Sequence, residues 1–198
     1  MKYIELFKAE LGNKMKKKTL LLYSTTDGQT IAICKRIRST LIKYTEVDIV
    51  SLDNLKNFNL TNYKQVIIGA SIRYGKHKPE LYEFIRSHKD ELHSKTNGFF
   101  SVNVVARKST KNLPGTNPYV RKFLQISSWK PTHLAVFAGK LNYPKYGFLD
   151  KQMIRLIMLI TKGPTDTKGV FEFTNWDQVD QFALNFVDSS LLKASILK

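Results

Sequence analysis

The sequence holds a single cysteine, Cys34, so no internal disulfide can form. A reducing, cytoplasmic setting is the default expectation that follows. Long apolar runs are missing too. Spanning a bilayer takes roughly 20 apolar residues, and the nearest run, Met153–Ile160, is far too short. Any contact with a membrane is therefore expected at its surface. Met1–Lys18 lacks the apolar stretch of a secretory signal. Acidic residues are scarce: 16 Asp and Glu stand against 32 Lys and Arg, a net charge of +16. That excess is silent on fold. It points to an anionic partner (nucleic acid, an anionic membrane face or an acidic small molecule), with plain solubility as the alternative.

What remains suits one globular domain. The 198 residues can build a real core but are too few for two domains of ordinary size. Apolar residues at 42% and aromatic residues at 12% exclude a disordered chain. Met15-Lys16-Lys17-Lys18 resembles a second natural start, so residues 1–14 read as an N-terminal extension and residues 15–198 as the domain. Tyr3, Ile4, Phe7 and Leu11 lie at near-helical spacing within the extension.

From there strands and helices alternate. Thr19–Tyr23 is a short apolar run with the character of a buried strand. Thr30–Tyr44 places Ile33, Ile37 and Leu41 at helical spacing among basic residues. Glu46–Ser51 and Gln65–Ala70 read as the second and third strands, and Pro79–His88 as a helix opened by proline. Phe99–Ala106 reads as a fourth strand, Pro118–Ile126 as a short helix, His133–Ala138 as a fifth strand and Asp177–Val187 as the last helix. Cys34 falls within the first helix and is expected to be packed rather than reactive. This alternation implies a parallel sheet with helices on both faces. Five strands fit a flavodoxin-like α/β fold of strand order 2-1-3-4-5 better than a six-stranded dinucleotide fold, although the order itself is not written in the sequence.

The turn between the first strand and the first helix carries the first functional signal. Ser24, Thr25, Thr26 and Thr30 put four hydroxyls into seven residues together with Asp27, Gly28 and Gln29. A helix N-terminus offers unpaired N–H groups and partial positive charge, and Gly28 permits close backbone approach. Such a nest suits a phosphate monoester. An ordinary helix cap by Asp27 or Thr30 is the alternative. Asp27 would repel a phosphate and is expected to turn outward. Neither a P-loop nor a Gly-x-Gly-x-x-Gly dinucleotide fingerprint is present.

Six segments then occur in the order of a known family. They are Ser24–Thr30, Ile68–Gly75, Ser101–Lys108, Tyr119–Leu124, Met153–Met158 and Thr165–Thr167. They resemble the bacterial menaquinone-dependent protoporphyrinogen IX dehydrogenases, from about Met15 to the last helix. The resemblance implies a flavodoxin-type domain with FMN and a six-electron oxidation of protoporphyrinogen IX to protoporphyrin IX. It also implies electron transfer to a membrane quinone, menaquinone or ubiquinone. By that likeness Ser24–Thr30 holds the FMN phosphate. Ser71, Ile72, Arg73, Tyr74 and Gly75 flank the flavin ring, as do Val102, Asn103, Val104, Val105, Ala106, Arg107 and Lys108. All three loops follow expected strands and so meet at one sheet edge, where ligands bind. Tyr74 is a candidate to stack on the ring or to cover the sheet edge. Arg73, Arg107 and Lys108 are candidates to stabilise reduced flavin or grip substrate propionates, or simply to add to the basic surface. His77 is a candidate proton relay, although most lone loop histidines are not. No catalytic base is named.

A long connection, residues 140–175, separates the fifth strand from the last helix and reads as an insertion. Asp150–Lys162 within it has helical character, with Lys151, Arg155 and Lys162 on one narrow stripe and apolar residues over most of the rest. Such a helix belongs in a core, on a partner or in a membrane interface. The basic stripe and nearby tyrosines favour an anionic membrane surface, hence a peripheral protein on the cytoplasmic face of the inner membrane. Two other flavin functions compete: a flavodoxin-type carrier, which the +16 charge opposes, and a quinone reductase fed by NADH or NADPH. A nucleic-acid-binding role ranks last, since no recognition motif is present.

Overall fold

The computed structural model describes residues 18–55 and 58–187; the expected extension at residues 1–14 lies outside them. Strands β1 (Lys18–Ser24), β2 (Glu46–Ser51), β3 (Gln65–Ser71), β4 (Thr96–Val102) and β5 (His133–Phe137) form one sheet of order β2-β1-β3-β4-β5. Every pair is parallel. The helices are α1 (Gln29–Leu41), α2 (Pro79–Ser87), α3 (Lys89–Ser94), α4 (Pro118–Ser127), α5 (Phe148–Ile160) and α6 (Trp176–Phe186).

Alternation along the strands divides the core in two. Leu20, Leu22, Val66, Ile68 and Phe99 face one side and pack on Leu81, Phe84 and Ile85 of α2, Leu92 of α3 and Phe123 of α4. Leu21, Ile67 and Phe100 face the other side and pack on Ile33, Cys34 and Ile37 of α1 and on Val179, Ala183 and Phe186 of α6. Both faces are covered, so the strands read as continuous apolar runs rather than as polar-apolar alternation. Cys34 is fully buried and its thiol pKa is pushed up by that burial, as suits a packed, inert side chain.

Two expectations need correction. The fourth strand stops at Val102, not Ala106. Asn103 turns the chain by accepting a hydrogen bond from the Ala106 N–H at 3.1 Å, and Val104–Arg107 form a short 3-10 turn. The basic stripe on the insertion helix is shorter than its spacing suggests. α5 ends at Ile160, and Lys162 lies beyond it in left-handed conformation, φ 54°. There the Gly163 N–H donates to Met158 O at 2.7 Å and the Lys162 N–H to Leu159 O at 3.3 Å, the pair of hydrogen bonds that marks a Schellman stop. Only Lys151 and Arg155 remain on the helix. The connection also contains a small antiparallel pair, β6 (Lys140–Asn142) with β7 (Val170–Glu172), and a cluster of Leu141, Tyr143, Tyr146 and Met158.

Gly69 on β3 lies opposite Phe100 on β4, and a Cβ there would come 2.1 Å from the Phe100 ring. The ring is fully buried and cannot swing away. Gly69→Ala is expected to destabilise the fold by about 1–3 kcal/mol through overpacking, read as a lower urea midpoint with an unchanged slope.

Candidate functional site

The site is built at the carboxyl ends of β1, β3 and β4. Its first part is the turn into α1. Gly28 holds φ 85°, a left-handed conformation that lets the chain enter the helix directly. No side chain caps α1, so neither Asp27 nor Thr30 serves the helix end. The N–H groups of its first turn remain available to a ligand. Thr25 Oγ1 accepts from the Gly28 N–H at 3.1 Å. The Ser24 and Thr30 hydroxyls are buried without a hydrogen-bond partner. Buried unsatisfied hydroxyls are costly, and an anion seated in the turn would satisfy them. Thr26 is exposed. Gln29 turns away, donating to Glu172 Oε1 at 3.1 Å and Thr174 Oγ1 at 2.9 Å.

The second part is a two-residue hairpin. Arg73 and Lys76 exchange backbone hydrogen bonds of 3.0 and 3.1 Å across Tyr74 and Gly75, which both have positive φ. That is the turn geometry a tight hairpin favours. It leaves Tyr74 exposed. The Arg73 guanidinium lies between two carboxylates, 3.2 Å from Asp27 Oδ2 and 2.5 Å from Asp150 Oδ2. It also sits 4.9 Å from the Tyr74 ring centroid and 5.4 Å from that of Tyr146. The Tyr74 hydroxyl donates to the other Asp150 oxygen. That bond first, with Arg73, holds the Asp150 carboxyl below its ordinary pKa. Burial pushes the Asp27 carboxyl up, and Arg73 only partly opposes it.

The third part follows β4. Asn103 is buried, with Nδ2 3.3 Å from Ser101 Oγ and its Oδ1 accepting from Asn117 Nδ2 at 3.3 Å. Val104 and Val105 face the same space as Asn103. Other residues of this segment do not. Val102 and Ala106 are buried in packing clusters, and Lys108 is exposed. Arg107 donates to Thr161 O at 2.9 Å and to Val104 O at 3.2 Å, so it ties the end of α5 to this loop. Ser71 ends β3 in register with Val102.

Between these parts lies a cavity of about 560 Å³. Asp27, the hairpin residues Ile72 to Gly75 and Asn103 to Val105 form one side. Met153, Ile154, Ile157 and Met158 of α5 close the other. Sequence reasoning missed this roof, although the four residues share one helical face at i, i+1, i+4 and i+5. His77, read above as a possible relay, is instead a buried structural group. Its Nε2 lies 3.1 Å from Ser101 Oγ and its Nδ1 3.4 Å from the Tyr82 hydroxyl, with the rings of Phe99 and Phe123 edge-on. Burial lowers its pKa to about 4, so it stays neutral at neutral pH.

A flavodoxin domain family matches residues 20–168. The Escherichia coli protein named protoporphyrinogen IX dehydrogenase (quinone) is 44% identical over 167 residues, covering 84% of this chain and 92% of its own. The Leishmania major protein of the same name is 43% identical over 171 residues, covering 85% of this chain and 74% of its own. Among solved structures, oxidised flavodoxin 1 from Bacillus cereus matches with a TM-score of 0.50 at 15% identity, covering 86% of this chain and 97% of its own. That likeness is one of fold.

The state of His77 sets a pH dependence. The folded chain keeps it neutral down to about 4, whereas its ordinary value is 6.5. Below that ordinary value the unfolded chain binds a proton the folded one does not, so stability falls as pH falls through the window. The expected loss is about 2 kcal/mol between pH 7 and pH 5, read by urea unfolding. His77→Gln should flatten much of the slope; His133, also lowered by burial, keeps the rest.

Proposed function

This chain belongs to the flavodoxin domain family, alongside the protoporphyrinogen IX dehydrogenases (quinone), and we propose that it oxidises protoporphyrinogen IX to protoporphyrin IX with FMN and passes the electrons to menaquinone or ubiquinone. The observation that carries the reading is the uncapped start of α1 with its two unpartnered buried hydroxyls, in a turn whose Asp27 lines the cavity. These residues fit FMN. Ser24, Thr25, Thr26, Gly28 and Thr30 would hold the phosphate. Ile72, Arg73, Tyr74 and Gly75 on one side, and Asn103, Val104 and Val105 on the other, would hold the ring. When bound, FMN supplies the electron acceptor that no amino-acid side chain offers.

The protein's own contribution is placement and shielding. Arg73 neutralises Asp27 beside the phosphate turn, which eases the approach of a further anion. The apolar residues of α5 would cover one side of a bound ring and shield it from water. The test is porphyrin fluorescence after anaerobic addition of protoporphyrinogen IX to the FMN-loaded protein. A rise that needs menaquinone supports substrate and acceptor together; no rise with a flavin spectrum present overturns the enzymatic reading. Ser24→Ala and Thr30→Val should each weaken FMN binding about tenfold, measured by quenching of flavin fluorescence, without loss of folded stability.

The outer side of α5 supports a peripheral membrane role. Phe148, Leu149, Leu156, Leu159 and Ile160 are all exposed, an apolar patch beside Lys151 and Arg155. No described helix is long and apolar enough to cross a membrane. Leu159→Asp with Ile160→Asp is expected to abolish co-sedimentation with anionic liposomes while FMN stays bound. Ile157 is unsuitable for this test because it also lines the cavity. Unchanged co-sedimentation would remove the membrane from the reading.

A further inference from the structure

A second cavity, of about 390 Å³, lies against α2 and α4. Ile72, Gly75 and Tyr119 line both cavities, so the tip of the Arg73–Lys76 hairpin and one tyrosine ring separate them. The two differ in charge. In the first, Arg73 is saturated by Asp27 and Asp150 and has little left for a substrate. The second is lined by Lys76, Arg86 and Lys122, with Glu83 as its one carboxylate. Among the described residues none of these three cations enters an ion pair or donates a side-chain hydrogen bond. Between them lie Tyr82, Tyr119 and Ile126, and Ile126 is a large apolar side chain left half exposed.

Uncompensated cations around an apolar floor call for a ligand with a flat apolar body and more than one anionic group on one edge. A phosphate alone would leave the floor uncovered, and a neutral quinone would leave the cations unused. We propose that this cavity receives the propionate edge of the tetrapyrrole. Arg86, Lys122 and Lys76 hold its carboxylates, and the macrocycle extends over Tyr119 toward the first cavity. The inference rests on the porphyrinogen-oxidising reading above and specifies where that substrate docks. It also divides the labour of the two sides. The tetrapyrrole arrives between α2 and α4, and the roof under α5 is left to the apolar acceptor.

The test uses FMN-loaded protein and protoporphyrin IX, the fluorescent product, which keeps both propionates. Arg86→Glu and Lys122→Glu should each weaken its binding about tenfold and raise KM for protoporphyrinogen IX with kcat within about twofold. Arg86→Gln and Lys122→Gln should do the same to a lesser degree. FMN content, which a misfolded variant would lose, should not change. Lys35→Glu, on α1 across the sheet, removes equal charge and should leave affinity as it was. The dimethyl ester of protoporphyrin, lacking both carboxylates, should bind the wild type and the charge variants alike. Full affinity for protoporphyrin IX in the Arg86→Glu, Lys122→Glu double variant overturns the docking site while leaving the enzymatic reading intact. A wild type that neither binds nor oxidises the tetrapyrrole overturns both.

Discussion

The site is organised around one guanidinium. Arg73 joins three segments far apart in the chain: the turn before α1 through Asp27, its own hairpin, and the first turn of α5 through Asp150. Its side chain is only 21% exposed, so these contacts are screened less than surface ion pairs are. Removing one partner would leave charge in a half-buried place, where it is costly. Asp27 and Asp150 compete for the same cation, and the outcome is uneven. Asp150 gains the Tyr74 hydroxyl as well and becomes the stronger acid. Asp27, lacking such a donor, is left with burial as its dominant influence. A phosphate placed beside Asp27 therefore meets a carboxylate that is already the easier of the two to neutralise.

The same contact explains why the roof of the cavity follows the hairpin. Asp150 opens α5, and Met153, Ile154, Ile157 and Met158 follow within the next turns on the side that faces the cavity. Arg107 holds the far end of the helix through Thr161. The helix is thus pinned at both ends by arginines from two different loops, those that follow β3 and β4. Its packing on the rest of the fold is slight, with Met158 as its one buried residue. Polar ties at the ends and thin apolar contact between them allow its outer side to remain apolar and exposed without the helix detaching.

The sheet was legible because its strands are buried on both faces. Thr19–Tyr23 and Gln65–Ala70 are apolar at every position that matters, and no helical period competes. The error at Asn103 has a physical source. Val104, Val105 and Ala106 continue the strand's composition, and the break comes from Asn103, whose side chain and carbonyl both accept from the Ala106 N–H. The short strands Lys140–Asn142 and Val170–Glu172 gave no signal, since three residues hold no usable period. The uncapped turn before α1 was legible as a dense run of hydroxyls. The roof was not, because the bond that places it, Arg73 to Asp150, spans 77 residues of sequence. Nor did the sequence reveal which basic residues are already paired: Arg73 and Arg107, the strongest candidates by position, are both committed to internal contacts.

That distinction gives a small part of the basic excess a location. Arg73 and Arg107, in the loops after β3 and β4, are spent on holding those loops and α5 together, whereas Arg86 on α2 and Lys122 on α4 are not. An enzyme that handles an anionic macrocycle and an oily acceptor has to offer two unlike surfaces to one reactive centre. An approach lined with free cations would repel nothing anionic but would hold a quinone poorly. An apolar roof does the reverse. With the hairpin tip and Tyr119 as the partition, the two approaches can differ in chemistry within a short distance of the same cavity. The partition is narrow because Tyr74 and Gly75 turn in two residues. A longer loop there would widen the gap between donor and acceptor sides and defeat the arrangement.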